Sequence, residues 1–80
     1  ASGWQVVIRE NNDKTEALVI CHRFSKDSNE VIDLPIDYLG GFKTVDAFGC
    51  SDSHLDISDS GISVHIPHAY SAKVFHLIKD

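Results

Sequence analysis

The chain has 80 residues, 42% of them hydrophobic, with 12 acidic and 7 basic side chains and a net charge of −5. This suffices for one small core and argues against a disordered chain. The acidic balance speaks against nucleic acid or an anionic membrane, which reward clustered Lys and Arg, and no apolar run approaches the roughly 20 residues of a membrane span.

In chain order, Ala1-Ser2-Gly3 is small and featureless and fits an expression remnant. Trp4 to Glu10 reads as a first strand, with Trp4, Val6 and Ile8 on one face and Gln5, Val7 and Arg9 on the other. Asn11-Asn12-Asp13-Lys14 is a dense turn signal. Ala17 to His22 follows as a second strand, opened by Thr15 or Glu16 and antiparallel to the first. It is apolar on both faces, which predicts a central position with partial cover on its second side. Lys26-Asp27-Ser28-Asn29 is a polar loop. Glu30 to Pro35 reads as a third strand stopped by proline. A longer connection, Ile36 to Gly41, leads to a fourth strand over Phe42 to Phe48, with Val45 and Ala47 on one face. Cys50-Ser51-Asp52-Ser53 is loop, and His54 to Ile57 is a short fifth strand.

The last third has the clearest pattern. Ser60-Gly61 suits a turn, because glycine adopts positive φ without steric penalty. Ile62, Val64 and Ile66 alternate with Ser63 and His65, a period of two, and Pro67 ends the pairing. Ala72 to Lys79 returns as a final strand, with Phe75 and Leu77 on one face and Val74 and Ile78 on the other. Both faces are apolar, so both call for cover. About seven short strands, with turn chemistry between them and no helical period, predict a single all-β domain, an antiparallel Greek-key β-sandwich.

The ending carries a resemblance. An alternating strand closing in Ile66-Pro67, a short linker, then Ser71-Ala72-x-Val74-Phe75-x-Leu77 is similar to the end of α-amylase-family enzymes, glycoside hydrolase family 13. Asp46-Ala47-Phe48-Gly49 resembles a step before a loop in the same family. In His22-Arg23-Phe24-Ser25 the Phe-Ser part matches the family's second-strand motif and the usual Asn is missing. In those enzymes a small antiparallel β domain follows a (β/α)8 catalytic barrel. The resemblance therefore implies a C-terminal domain of a larger, α-glucan-acting glycosidase. Its implied partner is the catalytic barrel of the same polypeptide, and its implied role is to pack on that barrel and stabilise it, without activity of its own. Val74, Phe75, Leu77 and Ile78 are the candidate interdomain contacts.

The residues themselves offer little chemistry. Glycoside hydrolysis needs two carboxyl groups flanking the scissile bond, and the acids here fall in turns or on solvent faces. Ser51-Asp52-Ser53-His54 holds the residue types of a triad, but a triad is a spatial arrangement, and no Gly-x-Ser-x-Gly elbow occurs. Cys50-x-x-x-His54 is one loose pair where structural zinc needs four ligands. No catalytic residue, metal ligand or cofactor site is expected, and the two cysteines, Cys21 and Cys50, are expected as free thiols. The rival reading is a free-standing carbohydrate-binding or protein-interaction module. For it, Tyr38 beside Gly40-Gly41 is the candidate platform for a weak α-glucan contact. The compartment is not legible: no signal-peptide pattern or Asn-x-Ser/Thr sequon is present.

Overall fold

A computed structural model describes residues 3–80. Ala1 and Ser2, which share the expression-remnant reading with Gly3, lie outside the described residues. The strands are β1 (Trp4–Glu10), β2 (Glu16–Arg23), β3 (Val31–Leu34), β4 (Phe42–Gly49), β5 (His54–Ser58), β6 (Gly61–His65) and β7 (Ser71–Lys79). All pairings are antiparallel. They form a four-stranded sheet in the order β1-β2-β7-β4 and a three-stranded sheet in the order β3-β6-β5. The chain is thus an all-β, sandwich-like domain in two layers.

The core lies between the sheets. Trp4, Ala17, Val19, Cys21, Phe42, Phe75 and Leu77 enter it from the first sheet, and Ile62, Val64 and Ile66 from the β6 segment. Leu39, from the β3–β4 connection, is fully buried and closes one side. The alternation of β6 and β7 reads straight onto this arrangement. Each places every second side chain inward because successive Cβ atoms of a strand point to opposite faces.

Turn chemistry fixes the first hairpin. The Asn11 Oδ1 accepts hydrogen bonds from the backbone N–H of Thr15 at 2.8 Å and of Glu16 at 3.0 Å. Lys14 takes a positive φ of 56° to close the turn. The expected boundaries shift by a residue or two: β2 includes Glu16 and Arg23, β3 stops before Pro35, and β6 stops before Ile66. Ile66 is buried without being paired in a strand.

Two departures have physical causes. The fourth strand carries a register shift between Thr44 and Asp46. One extra residue there breaks strict alternation, so the expected common face of Val45 and Ala47 is lost. Bulge and Lys43 together also blunt an exposed edge against pairing with other chains. The second departure is two buried cations, Arg23 and Lys73. The Arg23 Nε donates to Ser28 Oγ at 2.8 Å, Nη1 to the Ile66 carbonyl at 3.1 Å and Nη2 to the Ser28 carbonyl at 2.8 Å. Lys73 Nζ donates to the Cys50 carbonyl at 2.7 Å. Both charges are satisfied by neutral oxygens of the β2–β3 loop and of residues just past β4 and β6.

Candidate functional site

An apolar row crosses the outer face of the first sheet. Strand registers place Val7 opposite Ile20, Ile20 opposite Val74, and Val74 opposite Phe48. Residues in direct register share a face, so these four form one apolar row across the whole sheet. The next row is Arg9, Leu18, His76 and Asp46, and the one beyond contains Glu16, Ile78 and Lys43. Phe48 is 58% exposed and Leu18 38%, while Val7, Ile20, Val74 and Ile78 are half-buried by their neighbours alone. Leu18 and Phe48 border a shallow hollow of 390 Å³ that also touches Arg9, Glu16 and His76. His76 Nε2 meets Glu16 Oε1 at 3.1 Å beside it.

Of the four residues expected to contact a neighbour, the structure therefore separates two from two. Phe75, 2% exposed, and Leu77, fully buried, belong to the internal core and cannot also be an outer contact. Val74 and Ile78 face outward. Three residues that the sequence did not single out, Val7, Ile20 and Phe48, complete the row. For Val7 and Ile20 the sequence signal was an apolar side chain on a strand's second face, and Phe48 stood within the Asp46-Ala47-Phe48-Gly49 step.

The row is also electrically neutral. The charged residues on its flanks are Arg9, Glu16, Lys43 and Asp46, two of each sign, in a chain of net charge −5. The excess acid lies elsewhere.

Tyr38, in the β3–β4 connection, is 49% exposed and borders a small hollow with Glu10, Lys14, Phe42 and Lys79. It is a single ring. Of the other aromatic side chains that the sequence offers as a platform, Phe42 and Trp4 are in the core, with Trp4 Nε1 donating to the Asn29 carbonyl at 2.8 Å, and Tyr70, in the β6–β7 connection, is 69% exposed. The close aromatic pairs among the described residues are His22–Phe24 and His54–His65.

The loop with triad residue types is not arranged as a triad. Ser53 Oγ is buried without a hydrogen-bond partner, and His54 Nε2 instead lies 4.0 Å from Asp56 Oδ2. A nucleophile needs its base within hydrogen-bond reach. Cys21 is fully buried, and burial pushes its thiol up from 9.0 to about 12. Cys50 is half-buried, and its Sγ donates to the Ser51 carbonyl at 3.3 Å. Neither thiol is in a disulfide. Among the described residues, no three His, Cys, Asp or Glu side chains gather as a ligand set for a metal ion.

No family model matches the chain, and neither a curated protein nor a solved structure matches it significantly. The outer face of the first sheet is thus the feature on which a functional reading rests.

Proposed function

We propose that this chain is a non-catalytic C-terminal accessory domain of an α-amylase-family glycoside hydrolase. It packs on the (β/α)8 barrel of its own polypeptide through the outer face of the β1-β2-β7-β4 sheet. The observation that carries this reading is the unbroken apolar row Val7–Ile20–Val74–Phe48. A large aliphatic side chain moved from water into a packed interface contributes about 1.5–3 kcal/mol.

Size favours a tethered neighbour over a free partner. Four strands about 4.8 Å apart and three rows about 6.8 Å apart make a face of about 400 Å². A standard free-standing interface buries about 800 Å² per partner. A face half that size supports docking when the neighbour is already covalently attached and little translational freedom remains to be lost. The resemblance of the Ile66-Pro67 and Ser71-Ala72-x-Val74-Phe75-x-Leu77 segments to the ends of those enzymes names the neighbour. The carbohydrate-binding alternative has two exposed tyrosines, Tyr38 at 49% and Tyr70 at 69%, in different connections of the fold, and neither is in a close aromatic pair among the described residues.

The test is Val74→Ser, made in the isolated chain and in the chain joined to its parent enzyme. Val74 faces outward, so the isolated domain's Tm is expected to change little and that of the joined protein to fall by several degrees. Equal destabilisation of both would show that Val74 belongs to the domain's own packing, and the docking reading would fail.

A further inference from the structure

Independently of that reading, the outer face of the second sheet pairs two imidazoles across neighbouring strands. His54 on β5 stands directly opposite His65 on β6. Their ring centres are 4.9 Å apart, with the planes at 61°. Each ring has a carboxylate on its Nε2 side: Glu30 Oε2 is 3.6 Å from His65 Nε2, and Asp56 Oδ2 is 4.0 Å from His54 Nε2. The remaining nitrogen of His65, Nδ1, is buried and has no hydrogen-bond partner. Buried polar atoms are nearly always satisfied, so this one calls for an explanation.

We propose that His54 and His65 form a two-imidazole chelate for a divalent transition cation of the Zn²⁺, Ni²⁺ and Cu²⁺ class, with Glu30 and Asp56 as the carboxylates that orient the two rings.

The separation fits that chemistry. A metal bound about 2.0–2.1 Å from one nitrogen of each ring lies about 3.2 Å from each ring centre. The two centres are then about 4.5 Å apart for a right-angled N–metal–N arrangement and about 5.2 Å apart for a tetrahedral one. The observed 4.9 Å falls between these limits. Metal-bound histidines commonly give their second nitrogen to a carboxylate, which fixes ring orientation and raises ligand basicity. Both rings here have a carboxylate on the Nε2 side, at 3.6 and 4.0 Å, which must close in by several tenths of an ångström or more to accept from the ring, and the unpartnered Nδ1 of His65 is the nitrogen left over. His54, with a side chain 60% exposed, is the ligand free to turn toward the shared ion.

Two imidazoles make an exchangeable surface site, not a closed structural cage. Water completes the coordination. Imidazole selects this class of cation, while Mg²⁺ and Ca²⁺ prefer all-oxygen sets. The ion would tie β5, an edge strand of the second sheet, to the central strand β6. Because it binds the folded arrangement only, it would also raise stability in proportion to its occupancy.

The experiment is a titration of tag-free protein with ZnCl₂, followed by long-range ¹H–¹⁵N spectra of the imidazole nitrogens, with MgCl₂ as the control salt. Saturable shifts are expected in the His54 and His65 rings at sub-millimolar Zn²⁺ and none with Mg²⁺. His54→Ala, at an exposed site, should keep the amide spectrum of a folded domain and weaken Zn²⁺ binding by about tenfold or more. His22→Ala and His68→Ala should leave binding unchanged. Paramagnetic Ni²⁺ should broaden the amides of Leu55 and Val64, which are in register between the strands that carry the pair. An unchanged affinity in His54→Ala overturns the proposal. So does the absence of saturation at millimolar Zn²⁺, or shifts spread evenly over all five histidines.

Discussion

Cys21 and Arg23, two positions apart on β2, show how one strand face treats different side chains. Both point into the domain. The thiol of Cys21 is a small apolar group in the core, and burial stabilises its neutral form. Arg23 stays charged and is accommodated because its planar fork reaches three oxygens at once. Lysine has no such fork and would leave part of that set unsatisfied. The Cys21 thiol sets a pH dependence. Its folded-state pKa of about 12 lies above the ordinary value of 9.0, so the unfolded chain loses this proton first as pH rises. The contribution to stability is fully present below pH 9 and fades between pH 9 and about 12. Urea unfolding of the native chain and of Cys21→Ala should show this. At pH 8 the native chain is expected to be the more stable, and by pH 11 the gap should have narrowed. A gap constant with pH would mean that the thiol is not held neutral by the fold.

At the scale of elements, β4 is the strand with the least support. Only Phe42 of its eight residues is buried, because the second sheet has three strands and does not reach across it. What holds β4 is its pairing with β7, and that pairing depends on Gly49 at its end. Gly49 has a φ of +114°, and a Cβ there would strike the Ala72 carbonyl oxygen of β7. Gly41, just before β4, has a φ of +84° but open space around it. The two positions separate conformational strain from collision. Gly41→Ala carries only the cost of a left-handed backbone, about 1–2 kcal/mol. Gly49→Ala adds displacement of the β4–β7 ladder and is expected to cost about 2–4 kcal/mol. Denaturant midpoints of the two variants decide the point; equal losses would show that the approach to Ala72 relaxes freely.

For the whole molecule, the neutral apolar face is small for an independent interface, and the chain around it carries a net charge of −5. Two copies approaching through this face would bring their remaining like charges together while burying only about half the area of a standard interface. The isolated chain should therefore sediment as a monomer at micromolar concentration in low salt. A stable dimer there, abolished by Phe48→Ser, would replace the tethered neighbour with a second copy.

The alternation of Ile62, Val64 and Ile66, and of Phe75 and Leu77 against Val74 and Ile78, determined which side chains turn inward. Period two is a local property of extended backbone. Pro35, Pro67 and the Asn11 turn marked where strands end for equally local reasons, which is why all seven strands and the all-β class were legible. The double apolar face of β2 also signalled that this strand is central, as it is. The tertiary structure decided which strands meet. It inserted β7 between β2 and β4, and only that pairing brings Val7 and Ile20 of the first hairpin into one row with Val74 and Phe48. It placed β6 beside β5 in the register that sets His65 against His54. It buried Arg23, whose acceptor at Ile66 is 43 residues away. Register and partner choice depend on loop lengths, a bulge and the packing of both sheets at once, and none of these is written in the period of any single strand.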